Sequence, residues 1–382
     1  MKYRLTCLSP VLIGDGSHLA PIDYMVWRNQ VNVLDQNRIF RLLAKGPRLE
    51  NYLKQIRRAD KLDFASWGGF AQNFAGRRIP FEHPSYAAYW EKLGAEHLRI
   101  PTFVSSPSGP YLPGSALKGA LRTAYLSLRV TPGMLKDVAA RMGRERGTKS
   151  LGALLEDRIA GSAGTSVLKP FSVGDSTPVD PGALKIFLVR TATLAPGGPG
   201  KLALRWRQAP RGSVEAARPE SSTPLFVEMA APDTVFEGRW RENGFYQRPE
   251  VAKALRWKNP LTTKSLMEAA NSAAERLLQI QLRYAEIAGL DLLRENVRRL
   301  LDRLARLRRE QACMLCLGWG GGFLSKSAGG NPSDETHRQI LAQLSYYSRA
   351  IRSGLPFPKT RRIVFLEDRP AAFPGWALLE IS

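Results

Sequence analysis

The stretch Tyr111–Leu126, YLPGSALKGALRTAYL, constrains the fold most, because it predicts one helix with two chemically different faces. Pro113-Gly114 is a turn signal, and the hydroxyl of Ser115 can accept a backbone N–H bond, so we expect Ser115 to be the helix N-cap. The apolar residues at helical spacing are Leu117, Leu121, Ala124 and Leu128. They require the helix to pack one face against a hydrophobic core.

The polar side of the same helix predicts an anion-binding surface. The residues that share this face are Ser115, Lys118, Gly119 and Arg122. A helix N-terminus with free N–H groups, a hydroxyl, two cations and a residue without a side chain offers what a phosphodiester backbone needs. The alternative is a capped surface helix whose basic face is simply solvated, and these residues alone leave both interpretations open.

The charge balance favours a polyanionic partner. The 382-residue chain has 56 Lys and Arg against 34 Asp and Glu, a formal net charge of +22. Basic proteins of this kind most often bind nucleic acid. A membrane surface is the other candidate, but we find no terminal basic amphipathic helix, lipidation signal or membrane-spanning apolar run. Three cysteines are too few for a disulfide framework, so we expect a cytoplasmic protein without membrane contact.

Residues 60–110 are predicted to form an insertion with a character of its own. Aromatic residues such as Trp67 and Trp90 are interleaved there with cations such as Arg77 and Arg99. Aromatics can stack on bases while cations hold phosphates. The alternative, which we favour for any single aromatic, is that these rings form a small core within the insertion.

Residues 262–350 are predicted to be mainly helical and to contain a glycine-rich loop. Apolar residues at helical spacing run from Thr262 to Gln311, with a break near Gly289. The later segment Leu317–Phe323 has four glycines, whose N–H groups can form an anion nest. Its candidate RNA contacts are Gly318, Gly320, Gly321 and Gly322, with Lys326 just beyond them. The alternative is a flexible turn.

Short strands are predicted on either side of these helices. Lys2–Leu8 alternates between apolar and polar residues, as a half-buried strand does. Leu225–Ala230 and Thr234–Trp240 are predicted to form a hairpin around Pro232-Asp233.

Neither glycine-rich segment matches a nucleotide-binding motif. The segment from Gly114 lacks the P-loop spacing, and the segment from Gly318 has Phe323 where the dinucleotide pattern requires glycine. Cys313-x-x-Cys316 lacks a second pair of ligands, and the four histidines are scattered. We therefore predict no metal and no cofactor.

We predict no catalytic residue. An Asp in the early loop, Asp15 or Asp23, could act as a base for cleavage by an RNA 2′-hydroxyl. Loop Asp residues more often make turns, which is the interpretation we favour.

Three segments together resemble the RAMP superfamily, the RNA-binding subunits of CRISPR effector complexes. Ser9–Gly16 is similar to the family's opening segment, and Tyr111–Arg122 is similar to its PGSSLKGALR signature. Leu317–Phe323 is similar to its C-terminal glycine-rich loop, although Trp319 stands where a basic residue is common. The order of the motifs is most similar to the fifth subunit of the type III-A Csm complex.

The resemblance implies an α+β fold with an RRM-like (ferredoxin-like) core. Residues 1–382 would form a single RAMP unit, in which 60–110 is a thumb-like insertion and further insertions are helical. The basic helix face and the glycine-rich loop would then line the path of one RNA strand.

The resemblance also implies a role in antiviral defence. The chain would bind the guide (CRISPR) RNA, cap the 3′-end side of the effector filament and contribute to guide-RNA maturation. Its partners would be guide RNA, the neighbouring RAMP filament subunit and the small helical subunit, with target RNA and a host nuclease as further candidates. Two alternatives stay open: a metal-independent RNA-processing endoribonuclease using His18 or Asp23, and a filament-forming subunit that cleaves target RNA.

Overall fold

Strands and helices are interspersed along the chain. The computed structural model describes residues 1–382 except 45, 47, 59–73, 95–96, 143–150, 209–214, 308–310 and 328–333. The strands are β1 (Lys2–Cys7), β2 (His18–Leu19), β3 (Tyr24–Trp27), β4 (Gln30–Leu34), β5 (Ala75–Pro80), β6 (Ile100–Pro101), β7 (Ser105–Ser106), β8 (Gly109–Pro110), β9 (Phe171–Ser176), β10 (Leu184–Gly198), β11 (Lys201–Arg207), β12 (Glu215–Ala216), β13 (Leu225–Ala230), β14 (Val235–Glu242), β15 (Ala312–Cys316), β16 (Thr360–Leu366), β17 (Arg369–Ala372) and β18 (Trp376–Ile381). The α-helices are α1 (Gln36–Leu43), α2 (Arg48–Arg58), α3 (Ser85–Glu91), α4 (Gly114–Arg129), α5 (Pro132–Met142), α6 (Leu151–Ala160), α7 (Pro249–Ala254), α8 (Thr263–Ala288), α9 (Asp291–Ala305), α10 (Glu335–Gln343) and α11 (Ser345–Arg352).

The first sheet has the strand order β15-β18-β1-β14-β9, with every neighbouring pair antiparallel. Four of these strands and two helices occur in the chain order β1-α4-β9-β14-α8-β18, with other elements inserted between them, which is the β-α-β-β-α-β arrangement of a ferredoxin-like core. β1 lies at the centre and buries Tyr3, Leu5 and Cys7 on one face, as its alternation predicts. The predicted α+β class with an RRM-like core is confirmed.

The second sheet is built around the long strand β10. Its order is β12-β11-β10-β16-β17, and β13 also pairs with β10. The hairpin predicted around Pro232-Asp233 is wrong, because β13 pairs in this sheet while β14 pairs with β1 and β9 in the first. The physical reason lies in their burial: β13 is buried on both faces, whereas β14 exposes Glu237, Arg239 and Arg241.

Helix α8 connects the two hydrophobic clusters of the core. Its first half packs Leu266 and Met267 into the cluster under the first sheet, and its second half packs Leu278 and Tyr284 into the cluster beside the second sheet. Thr262 caps it with a capping box, and it ends at Gly289 in the left-handed conformation, φ +65°. The predicted break near Gly289 is confirmed. Among the described helices, none is long and apolar enough to cross a membrane.

Four described aromatics of the 60–110 segment are packed inside the protein. Phe81, Tyr86 and Trp90 belong to the cluster beside the second sheet, and Phe74 joins a small cluster with α1 and α2. These four rings are therefore core residues and are not available for base stacking. Trp67, with the rest of 60–73, lies outside the described residues.

Candidate nucleic-acid interface

A groove of about 750 Å³ lies where four segments of the chain meet. Its walls come from the segment after β1, from residues around β6, from one face of α4, and from the end of β15 with the segment that follows it. The residues that line it are Leu12, Ile13, Gly14, Gly16, Ser17, His18, Arg99, Pro101, Thr102, Ala116, Gly119, Ala120, Thr123, Cys316, Leu317, Gly318, Trp319, Ser325 and Lys326. The groove therefore brings α4 and the start of the glycine-rich loop to opposite sides of one space, as the sequence predicted.

Backbone hydrogen bonds join these walls. The Trp319 N–H donates to the Leu12 carbonyl at 2.8 Å, and the Leu317 N–H donates to the Gly375 carbonyl at 2.9 Å. The Gly375 N–H in turn donates to the Pro10 carbonyl at 3.0 Å. Because these bonds connect the two ends of the chain, the floor of the groove forms only when the whole domain is folded.

The glycines of the loop serve two purposes. At Gly318, Gly320 and Gly321 an added Cβ would clash with the protein's own atoms, namely the Leu12 carbonyl, the Pro374 ring and the Ser325 hydroxyl. Gly322 instead has open space around it and a φ of +77°. Glycine at the first three positions is thus explained by the loop's own packing, and Gly322 is the one of the four at which an added Cβ would meet open space.

The N-terminus of α4 is occupied by the protein itself. The helix begins at Gly114 with Pro113 at the N-cap position and no side-chain cap bond, so the prediction that Ser115 is the N-cap is wrong. The Gly114 N–H donates to the Asp175 carboxylate at 2.8 Å, and a Cβ at Gly114 would clash with the Val173 carbonyl. Strand β9 passes so close that it supplies both the packing surface and the anion for this helix end.

The two cations predicted on α4 have protein partners. The Lys118 ammonium donates to the Phe171 carbonyl at 2.6 Å, and burial lowers its pKa. Arg122 forms an ion pair with Glu156 of α6 at 2.6 Å. Neither side chain is among those that line the groove, whereas Gly119 lines it and has nothing within 4 Å of an added Cβ.

Three exposed side chains supply positive or titratable groups to the groove instead: Arg99, Lys326 and His18. Among the described residues that line it, none is Asp or Glu. Lys326 was predicted from the sequence, but Arg99 was not singled out, although it belongs to the segment in which cations and aromatics alternate. Nothing local distinguishes it from the other cations of that segment, because its place in the groove depends on β2 pairing with β6.

Of the early-loop residues considered for catalysis, only His18 lines the groove. Asp23 accepts the Ala20 N–H at 2.7 Å through its carboxylate, which is the turn-forming role expected for a loop Asp. Asp15 likewise accepts the Ser17 N–H at 2.8 Å, and this bond lowers its pKa. Within the described residues, no group of three or more His, Cys, Asp or Glu is placed to hold a metal ion.

Comparison with known proteins gives relatives of nearly full length. The chain is 20% identical to the CRISPR system Cms protein Csm5 of Methanocaldococcus jannaschii over 417 aligned positions, covering 98% of this chain and 88% of that protein. A chain in the cryo-EM structure of a Csm–crRNA–target RNA ternary complex from a type III-A CRISPR-Cas system matches with a TM-score of 0.64 and 20% identity, over 100% of both chains. The crystal structure of T. onnurineus Csm5 matches with a TM-score of 0.62 and 19% identity, over 98% of this chain and 99% of that one.

These structural likenesses show that the fold is shared, and the family model adds a sequence-level match. The model of the RAMP superfamily matches residues 4–325, which include both the α4 signature and the glycine-rich loop. The resemblance found in the motifs is confirmed, and the chain belongs to the RAMP superfamily.

Proposed function

We propose that the chain binds the guide RNA of a type III-A CRISPR effector complex in the groove beside α4, and that it caps the 3′-end side of that complex. The observation that carries the proposal is the groove itself. It has exposed cations, no carboxylate among its described lining residues, and a helix face without a side chain at Gly119. These are the properties that a single RNA backbone requires.

The likeness to Csm5 supports the choice of subunit. The relative from M. jannaschii is named as a CRISPR system protein, and a chain of similar fold lies in a complex with crRNA and target RNA. By the same likeness, we assign to this chain guide RNA and other Csm subunits as partners. The neighbouring RAMP filament subunit, the small helical subunit, a host nuclease and a cytoplasmic location stay predictions.

The groove would hold the RNA through its backbone. Arg99 and Lys326 would contact phosphates, and the absence of a side chain at Gly119 would let the ribose–phosphate chain approach the helix. Such contacts fix the position of a strand without reading its sequence. Lys118 and Arg122 stay predictions as RNA contacts, and each would first have to leave its protein partner.

The test is the salt dependence of RNA binding. We expect Arg99→Ala and Lys326→Ala each to weaken binding of unrelated single-stranded RNAs to a similar extent. Each should also reduce the log–log salt slope by roughly 0.7, because the variant neutralises one phosphate fewer than wild type. Lys201→Ala, at an exposed position on β11 outside the groove, is the matched control.

An unchanged slope in both groove variants would contradict the assignment of the groove.

Incubation of the protein with RNA in EDTA tests the proposal that the protein is not an enzyme. If the wild-type protein cleaves the RNA and His18→Ala does not, the endoribonuclease alternative is favoured. His18 is exposed in the groove, and an imidazole can act as a general base.

A further inference from the structure

A second cavity, of about 270 Å³, lies beyond the glycine-rich loop and against the second sheet. Gly318 and Trp319 line the groove beside α4, whereas Gly320, Gly321 and Gly322 line this cavity. Its opposite walls include Gln281 of α8 and side chains of β11 and β16. The loop therefore separates two spaces, and the function proposed above uses only the first.

The cavity has an excess of positive charge without a matching anion. Arg207, Arg361 and Arg362 line it, and none of its described lining residues is Asp or Glu. Among the described residues, Arg361 and Arg362 have no acidic partner: Arg361 lies over the Tyr284 ring at 5.2 Å, and Arg362 lies over the Trp319 ring at 4.1 Å.

Arg361 lines the cavity as a partly buried cation. Burial lowers its pKa to about 10, so it remains a cation at neutral pH, and burial also lowers the pKa of Arg362. A cation that has lost part of its hydration and has no anion beside it lowers the stability of a protein, and a bound anion offsets that loss.

Neutral donors surround the same space. The N–H groups of Gly320, Gly321 and Gly322 have no hydrogen-bond partner among the described residues. Gln281 is 3% exposed, and its Oε1 accepts the Trp376 indole N–H at 2.9 Å. Because this bond fixes the orientation of the amide, the Gln281 Nε2 remains a donor beside the cavity.

We propose that this cavity binds a phosphate group of an RNA strand. Guanidinium forks and successive backbone N–H groups suit the tetrahedral oxygens of phosphate, and the described lining residues include no carboxylate that would favour a cation. That the phosphate belongs to RNA rests on the proposed function. A strand leaving the groove would cross the loop at Gly322, which is exposed and has open space around it. The phosphate is either an internal phosphodiester or a phosphomonoester at the strand end.

Inorganic phosphate tests the cavity without RNA. Saturating phosphate should raise the Tm of wild type by about 2–5 °C relative to chloride at equal ionic strength. Arg361→Gln and Arg362→Gln should each lose most of this rise, and Arg241→Gln, at an exposed position outside the cavity, should keep it. In chloride alone, Arg361→Gln should melt at or above the wild-type Tm, because the unpaired cation has gone. No rise in wild type, or an equal rise in both cavity variants, would overturn the proposal.

RNA oligonucleotides with and without a terminal phosphate distinguish the two sources. If Arg361→Gln weakens both about tenfold, the cavity holds an internal phosphate; if it weakens only the phosphorylated strand, it holds the terminal one. Equal affinity of wild type and variant for both strands would contradict the RNA assignment. Lys326→Ala, measured in parallel, shows separately whether the groove proposal has failed.

Discussion

At the scale of single residues, two glycines of α4 are present for opposite reasons. Gly114 is packed so tightly against β9 that a Cβ would clash with the Val173 carbonyl. Gly119, five residues later, is exposed, and the protein itself would accept a side chain there. Glycine within a helix lowers stability relative to alanine. The protein's own packing therefore does not explain Gly119, whereas the close approach of a ligand would.

We expect Gly119→Ala to stabilise the free protein and to weaken RNA binding. The gain in unfolding free energy should approach about 1 kcal/mol, measured by chemical denaturation. The added methyl should reduce RNA affinity roughly fivefold, because it occupies the groove. Gly114→Ala is the control and should destabilise the protein. If Gly119→Ala binds RNA as tightly as wild type, the strand does not approach this face.

At the scale of elements, α4 is held in place by β9. The Asp175 carboxylate accepts the first N–H group of the helix, and the Lys118 ammonium donates to the Phe171 carbonyl at the start of the strand. Tyr3 of β1 donates its hydroxyl to the Gly174 carbonyl at 3.0 Å. These contacts fix the helix against the first sheet, and the groove opens on its other side.

Asp175→Ala should lower the unfolding free energy by about 1 kcal/mol, because it removes both the acceptor and the negative charge at the helix N-terminus. Asp175→Asn keeps an acceptor and should lose only part of that amount. Denaturant titrations at low and high salt measure the difference, and the charge component should shrink with salt. Equal stability of wild type and Asp175→Ala would mean that the contact does not cap the helix.

At the scale of the whole molecule, one buried carboxylate connects parts of the chain that no local pattern relates. Glu228 on β13 is fully buried, accepts the Phe103 N–H at 3.2 Å and forms an ion pair with Arg77 of β5. Phe103 precedes the β7–β8 hairpin, and Thr102 beside it lines the groove beside α4. The ion pair thus connects the 60–110 segment, the second sheet and one rim of the groove.

Glu228→Gln should lower the unfolding free energy by about 2 kcal/mol, because it leaves the Arg77 cation, whose side chain is 31% exposed, without its counter-charge. The double variant Arg77→Met/Glu228→Met removes both charges and should recover most of that loss. Urea denaturation of Arg77→Met, Glu228→Met and the double variant completes the cycle. A double variant no more stable than Glu228→Gln would show that the pair is not the source of the effect.

The sequence alone was sufficient for features that depend on neighbours a few residues apart. The α4 helix, the alternation of β1 and the break at Gly289 all follow from local periodicity and backbone preference. The motifs also sufficed to identify the family, and the net charge of +22 indicated a polyanionic partner.

Only the tertiary structure decided which strands pair and which cations are free. Neighbouring strands β13 and β14 enter different sheets, and Lys118 and the N-terminus of α4 are bound by β9, more than 50 residues away. Arg99, Arg361 and Arg362, by contrast, face spaces without a carboxylate among the described lining residues. The partner of a side chain depends on which residues the fold places beside it. When those residues are distant in sequence, the local sequence does not identify them.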